Sequence, residues 1–251
     1  MEAPVAPEEK TPEKLREKTA RFYARYEPEL IQIKNLIEAK LSQICLAYAI
    51  ENKLPAESFQ VIGRVKSIKS FIDKLERKGW PYFNKPTELI TDLVGVRIIC
   101  WFVDDCYGLL DFIKTSKQMD IDMHTLRDYI KNPKNGYRAL HVLAQTSYDR
   151  IKNDNGNMVV VDDKLTCEIQ IRTKFQDALS VIVHQFYYGS PETGEKSTAL
   201  ERHLSDISNE LYKADKKIMV LRPEHQKLAD DATKSKKRQG FDASTTVDSI
   251  V

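Results

Sequence analysis

Residues 94–103 read Val-Gly-Val-Arg-Ile-Ile-Cys-Trp-Phe-Val, a run rich in β-branched and aromatic residues that suits a central strand. A helical pattern from about Asp104 to Lys117 follows it, so the two together read as a βα unit and predict an α/β (α+β) fold. Arg97 interrupts the apolar run. Burying an unpaired guanidinium costs at least several kcal/mol, so Arg97 is expected to meet either a structural carboxylate or a ligand phosphate.

Upstream of this unit, Phe59 to Val65 reads as a strand, and Ser67 caps a helix whose apolar stripe is Ile68, Phe71, Ile72 and Leu75, ending at Gly79. Farther back, Leu30, Ile33, Ile37, Leu41 and Ile44 recur at helical spacing, and Pro28 predicts a break that divides Thr11 to Ile50 into two helices. Downstream, a polar stretch from Thr125 to Arg138 leads into the strand His-Val-Leu-Ala-Gln-Thr-Ser-Tyr at 141–148. Two more strands, 157–161 and 164–172, are expected to flank a tight turn at Asp162 and Asp163. Helices over Thr173 to Tyr188 and through Leu204, Ile207, Leu211, Ala214 and Ile218 complete the pattern. The expected organisation is one domain over 13–222, with its motifs in 63–188 and terminal helices at 13–54 and 197–220. Residues 1–12 and 223–251 are expected to be unstructured ends.

The 251 residues hold 39 Lys and Arg against 37 Asp and Glu, a near balance that gives no overall field for a DNA partner. Cys45, Cys100, Cys106 and Cys167 lack metal-ligand spacing and read as reduced thiols. The opening Met-Glu-Ala-Pro-Val-Ala-Pro-Glu-Glu-Lys is unlike a secretory signal, and no apolar run reaches membrane-spanning length, so a cytoplasmic protein without a membrane partner is expected.

Four segments carry residues suited to chemistry. In Arg64-Val-Lys-Ser-Ile-Lys-Ser-Phe-Ile-Asp-Lys74, a strand runs into a helix N-terminus, bringing Arg64, Lys66, Lys69, Ser70 and Lys74 toward a place where free amides and the helix dipole favour a polyphosphate. The same segment by itself also fits a basic helix with a solvated face. In Thr91-Asp-Leu-Val-Gly-Val-Arg97, Asp92 precedes the central strand. In Leu165-Thr-Cys-Glu-Ile-Gln-Ile-Arg172, the two-residue period puts Thr166, Glu168, Gln170 and Arg172 on one face and Leu165, Cys167, Ile169 and Ile171 on the other. That polar face is either exposed to solvent or the floor of a cleft, where Glu168 and Asp92 could share Mg²⁺, an ion typically held by one or two carboxylates plus substrate phosphates. In Lys131-Asn-Pro-Lys-Asn-Gly-Tyr-Arg138, a turn at Asn135 and Gly136 presents Tyr137, which is either half-buried or a stacking platform for a base.

In order and type these four segments resemble the synthetase domain of the RelA/SpoT family, and especially its stand-alone small alarmone synthetases, over about Gly63 to Tyr188. The resemblance implies a nucleotidyltransferase-like mixed β-sheet flanked by helices, with extra terminal helices. It also implies an enzyme that transfers pyrophosphate from ATP to the 3′-hydroxyl of GDP or GTP, giving (p)ppGpp and AMP. Arg64 and Arg97 would then sandwich the adenine, with Lys66, Lys69, Ser70 and Lys74 on the ATP phosphates. Asp92 and Glu168 match the catalytic and Mg²⁺-binding carboxylates. Tyr137 matches the aromatic that stacks on guanine, and Lys131, Lys134, Asn135, Arg138, His141 and Gln170 fall on the acceptor side.

The chain departs from the family pattern in two places. Its acceptor loop, Pro-Lys-Asn-Gly-Tyr, is one residue shorter than the usual form, and Val183-His184 stands where many relatives have Glu-His. Both lie near the acceptor half, so acceptors other than guanine nucleotides stay open: the tRNA 3′ end or adenine nucleotides. An inactive nucleotide-binding module is a third reading. None of the five histidines precedes an Asp, so synthesis without hydrolysis is expected. Relatives of this size often form homotetramers, which implies a homo-oligomer of that kind. The apolar stripes Leu30 to Ile44 and Leu204 to Ile218 would serve as that interface or as core.

Overall fold

A computed structural model describes residues 11–84, 86–188, 198–224, 227, 228 and 231. The principal elements among the described residues follow in the order α1 Pro12–Glu51, β1 Phe59–Val65, α2 Ile68–Arg77, α3 Pro86–Leu89, β2 Val94–Cys100, α4 Val103–Thr115, β3 Asp120–Asp128, β4 Leu140–Asp154, β5 Asn157–Thr173, α5 Lys174–Tyr188 and α6 Thr198–Ile218. The strands form one mixed sheet in the order β1-β2-β5-β4-β3, parallel only between β2 and β5.

The central strand lies where its composition puts it. Val94, Val96, Ile98 and Cys100 of β2 face a core shared with α1 and α4, and Cys167, Ile169 and Ile171 of β5 join the same layer. Their alternate neighbours, Gly95, Arg97, Glu168 and Gln170, therefore lie on the opposite face. A smaller core of Leu15, Tyr23, Phe71, Leu75, Phe83, Ile90 and Leu93 joins the N-terminal part of α1 to α2 and to the segment leading into β2.

Helix α1 departs from the expected pair of helices. It runs through Pro28 as one element of 40 residues, capped by the Thr11 hydroxyl, which accepts from the Lys14 amide at 3.4 Å. An interior proline costs roughly 3 kcal/mol through a lost hydrogen bond and a clash. Burial on both sides of it offsets that cost: Leu15 and Tyr23 pack before Pro28, and Leu30, Ile33, Ile37, Leu41 and Ile44 pack after it. The stripe from Leu30 to Ile44 is thereby core and not a free surface. Residues 1–10 and 232–251, which hold most of the expected unstructured ends, lie outside the described residues, while Thr11 and Pro12 cap and begin α1.

Two further differences lie in the sheet. The polar stretch beginning at Thr125 belongs in part to β3, an edge strand whose alternation is interrupted by a register shift between Asp122 and Arg127. The expected turn at Asp162 and Asp163 is continuous strand: β5 passes straight through, and Asp162 and Asp163 pair with Asp149 and Tyr148 of β4. The reversal occurs at Asn155 and Gly156, whose φ values of 51° and 88° make the two-residue turn that suits a twisted hairpin.

Helix α4 passes close beneath α1. A Cβ at Gly108 would lie 2.3 Å from Tyr48 Oη and 3.2 Å from its Cζ. Tyr48 is buried between the rings of Phe59 and Phe112 and donates to Asp105 Oδ1 at 3.2 Å, so it has little room to yield. Alanine in a helix gains up to ~1 kcal/mol over glycine, whereas overpacking a core costs about 1–3 kcal/mol. Gly108→Ala is therefore expected to lower stability by about 1–2 kcal/mol in the wild type, and to lose most of that penalty in a Tyr48→Phe background, where the nearest atom is gone. Thermal or denaturant melts of the four proteins in the cycle check this.

Candidate active site

Strand register assembles the site. Across the sheet, Arg64 of β1 pairs with Gly95 of β2, which pairs with Glu168 of β5, while Arg97 pairs with Gln170 and Gln170 with His141 of β4. All of these side chains share the face turned away from α1 and α4. The Arg64 side chain lies over Gly95, with its Nε 3.8 Å from where a Gly95 Cβ would stand. A cavity of about 720 Å³ opens over this face between α2, the segment before β2, and strands β3 to β5, and both Asp92 and Glu168 line it.

Asp92 is clasped by two lysines from different elements. Lys66, at the end of β1, donates to Oδ2 at 2.8 Å, and Lys74 of α2 donates to Oδ1 at 2.8 Å. The Lys66 amide also bonds to the Leu93 carbonyl at 2.8 Å, fixing the strand end beside the carboxylate. Burial pushes the Asp92 carboxyl up, but the two lysine hydrogen bonds and their charges outweigh it and hold the group at about 2.

Glu168 belongs to a second polar chain. Its Oε2 accepts from Gln170 Nε2 at 2.7 Å, its Oε1 lies 3.2 Å from His141 Nδ1, and His141 Nε2 lies 2.7 Å from Tyr137 Oη. Burial raises the Tyr137 hydroxyl above its ordinary range, so it remains a proton donor. With a neutral imidazole the order of donation is then Tyr137 to His141 and His141 to Glu168. Burial raises the Glu168 carboxyl, while the His141 and Gln170 contacts bring it below its ordinary value. Asp92 is near enough to oppose that lowering, which ties the two carboxylates to one site electrostatically.

A third group surrounds Asp177 of α5. Its Oδ1 lies 3.1 Å from Arg97 Nη1 and 2.9 Å from Arg172 Nη2. Arg172 is 1% exposed and its guanidinium carbon sits 5.9 Å from the Tyr137 ring centroid. The Nε atoms of Arg97 and Arg172 are buried without a hydrogen-bond acceptor among the described residues. Arg97 therefore meets a carboxylate, one of the two kinds of partner expected for it.

Other expected site residues fall elsewhere. Lys69 and Ser70 are exposed on α2, where the Ser70 amide is taken by the Ser67 cap at 3.2 Å. Lys131 ion-pairs with Asp128 at 3.7 Å and lies 5.0 Å from the Tyr107 ring centroid on the α4 side. Lys134 and Tyr137 close a two-residue turn around Asn135 and Gly136, and Asn135 Nδ2 donates to Glu201 at 3.3 Å. Arg138 points away from the cavity. Its fork is buried toward α6, donating to the Ile130 carbonyl and, at 2.7 Å, to Asn209 Oδ1, with its guanidinium over the Tyr212 ring. It holds the loop in place and leaves Tyr137 facing the site. Gly136 fits there because a Cβ would meet the Leu204 carbonyl oxygen of α6 at 2.8 Å.

The residues missed at the sequence level are Asp177 and the cavity-lining Lys78, His124 and Arg127. Asp177 follows the EIQIRT segment by four residues, and the buried arginines were the signal that a carboxylate had to be near.

Known proteins match this chain in sequence and in fold. Residues 63–193 match the segment described as "Region found in RelA / SpoT proteins". GTP pyrophosphokinase YwaC of Bacillus subtilis is 37% identical over 127 residues, covering 50% of this chain and 56% of that protein, so the matched segment spans little more than half of that relative. GTP pyrophosphokinase YjbM of the same organism is 28% identical over 207 residues, 77% of this chain and 90% of YjbM. Among solved structures, a GTP pyrophosphokinase family protein from Streptococcus pneumoniae superimposes with a TM-score of 0.66 at 26% identity, covering 83% of this chain and 96% of the other. Small alarmone synthetase 1 of B. subtilis, solved with its product pppGpp, gives a TM-score of 0.64 at 26% identity over 82% and 97% of the two chains.

Three outcomes follow from the ion pairs. The depressed Asp92 carboxyl contributes stability that is fully present above the unfolded value near 4 and is lost as pH falls through about 2. It is worth about 2 kcal/mol, so acid titration of Asp92→Asn should show a shallower loss of stability between pH 4 and 2 than the wild type. Removing the acid between the two buried arginines, Asp177→Ala, is expected to cost about 3–5 kcal/mol in denaturant melts. Lys14→Ala, at an exposed ion pair of 3.7 Å with Glu17, should cost under ~1 kcal/mol.

Proposed function

Because this chain belongs to the RelA/SpoT family, we propose that it is an ATP-dependent pyrophosphokinase that converts GDP or GTP to (p)ppGpp with release of AMP. The observation that carries the reading is the presence of two ionised carboxylates, Asp92 and Glu168, in one cavity that is also lined by Lys74 and Lys78 from the end of α2. A polyphosphate needs cations to enter such a place, and Lys66 and Lys74 already stand at Asp92. Arg64 and Arg97, on adjacent strands of the same face, are assigned to the adenine, and Lys69 and Ser70 to the outer ATP phosphates. Tyr137 is assigned to the guanine, with His141 and Gln170 beside it and Lys131, Lys134 and Asn135 at the mouth.

In the reaction, the acceptor 3′-oxygen attacks the β-phosphorus of ATP and forms the new P–O bond. The bond from the β-phosphorus to the α,β-bridging oxygen breaks, and AMP leaves with that oxygen. Glu168 accepts the 3′-hydroxyl proton, held in position by Gln170 and by His141, whose own orientation is fixed by Tyr137. A carboxylate below its ordinary range is a weak base, so alignment of the two nucleotides carries more of the acceleration than proton transfer does.

The donor set also fits Mg²⁺. Asp92 and Glu168 offer hard, ionised oxygens, and among the described residues no third carboxylate, histidine or cysteine completes a cage, which leaves the remaining positions to phosphates and water. When bound, the ion would neutralise charge on the transferred group. The protein is further read as a cytoplasmic homo-oligomer: Ile31, Leu46 and Ile50 of α1 and Ile207 of α6 remain exposed for such contacts. Light scattering at micromolar concentration should give a mass above 28.9 kDa.

Labelled ATP with Mg²⁺ and, separately, GDP, GTP, adenine nucleotides or deacylated tRNA tests the reading. Label on guanine nucleotides together with AMP release is expected, and label on tRNA or adenine nucleotides alone would overturn the acceptor. Asp92→Gly and Glu168→Val are expected to abolish transfer while remaining folded by circular dichroism; turnover in either folded variant would remove the carboxylate assignment.

A further inference from the structure

At the far edge of the sheet, strict alternation along β3 would send Arg127 to the wrong face. Ile121 pairs with Ala144 and Asp122 with Leu143, but Arg127 pairs with His141 and Asp128 with Leu140. Four residues, Met123 to Leu126, therefore stand against one, Val142. The excess is odd, so it reverses which residues of β3 face the core. Before it, Ile121 and Met123 pack against the core. After it, Leu126 packs there and Asp128 accepts from the Tyr107 hydroxyl of α4 at 3.2 Å. Arg127 consequently falls beside His141 and extends the polar row that runs from Arg97 through Gln170. Tyr129, two residues on, sets its ring edge-on to those of Tyr137 and His141, at 5.8 and 5.3 Å between centroids.

One side chain closes this bulge. Thr125 Oγ1 donates to the Asp122 carbonyl at 2.6 Å and accepts from the Leu143 amide at 2.9 Å, so it serves both strands where their ladder is broken. The His124 amide bonds to Asp122 Oδ1 at 3.1 Å and tightens the same turn. Without the hydroxyl, the Leu143 amide loses its acceptor, and regular pairing would restore one only by turning Arg127 toward the core.

The bulge borders the cavity of the two carboxylates. His124, Thr125, Leu126 and Arg127 line it from the β3 edge, while Lys74 and Asp92 line it from the side of α2 and the β2 entry, with His141 and Glu168 between. Arg127 is exposed and makes no ion pair among the described residues, so its charge is available to a ligand anion. The Asp92 side already has its cations in Lys66 and Lys74, which suits the ATP phosphates; a cation across Glu168 from them suits the phosphates of the other nucleotide. Resting on the pyrophosphokinase reading above, we propose that Thr125 is a positioning residue for the acceptor: by closing the bulge it holds Arg127 on the site face, where the guanidinium meets the acceptor's 5′-phosphates.

The test compares the full chain with Thr125→Val, which removes both hydrogen bonds, Thr125→Ser, which keeps the hydroxyl, Arg127→Ala, and the Thr125→Val/Arg127→Ala double variant. In Thr125→Val and in Arg127→Ala, KM for GDP and GTP is expected to rise roughly tenfold, while kcat and KM for ATP stay within about twofold. Serine should restore the wild-type KM. The double variant should lose no more than Arg127→Ala alone, because a residue that acts through Arg127 has nothing left to position. Losses that add in the double variant, an equal rise in KM for ATP, or no rescue by serine would each overturn the proposal. Arg127 is exposed and outside the cores, so unchanged GDP affinity in Arg127→Ala overturns it even where Thr125→Val fails to fold. Calorimetric titration with GDP needs no turnover: binding that weakens roughly tenfold in Arg127→Ala, with no transfer by the wild type, would count against the proposed reaction and for the Arg127 contact. Transfer to GDP with additive losses would leave the reaction standing and remove the role of Thr125.

Discussion

Asp92 held between Lys66 and Lys74 is the contact on which the arrangement of the site rests. The three residues come from the end of β1, from α2 and from the segment entering β2, and Tyr23 of α1 donates to the Lys66 carbonyl at 2.8 Å. Four parts of the chain therefore meet at one carboxylate. Two charge-assisted hydrogen bonds at partly buried positions are strong enough to keep it ionised against the cost of burial. The second, smaller core lies beside the same contact, where Phe71 and Leu75 of α2 cluster with Leu15 and Tyr23 of α1.

Strand parity does the rest. Because side chains alternate along a strand, the pairing of β1, β2, β5 and β4 sends every second residue to the same face and lines up Arg64, Arg97, Glu168, Gln170 and His141 without a long excursion of the chain. The core face keeps the register from slipping: a shift of one residue would bury Glu168 against α4 and expose Ile169. Precision in the polar row is thus a by-product of apolar packing on the other side of the sheet.

Much of this was legible in the sequence, and the misses have physical causes. β1, α2 and β2 follow from patterning and from the Ser67 cap, and the alternation in 165–172 separates the two faces of β5 correctly. The continuous α1 was not legible, because the penalty at Pro28 is local while the burial that overcomes it is tertiary. The hairpin turn was available in the Asn155-Gly156 pair, which supplies two left-handed residues, whereas two adjacent aspartates at 162 and 163 carry no such requirement. Arg138 could not be assigned from its neighbours, since Asn209 and Tyr212, which engage it, lie some seventy residues away in the sequence.

The loop carrying Tyr137 is set from a distance in another sense. Gly136 lies against the Leu204 backbone, Arg138 against Asn209 and Tyr212, and Thr173 donates to the buried Asp215 at 2.7 Å, so α6 braces both the loop and the end of β5. Synthesis proceeds from the N-terminus, and the ribosome delivers α6 only after all five strands have been made. The Tyr137 loop therefore gains its support from a part of the chain that is made after the strands and after the three residues of the Asp92 clasp.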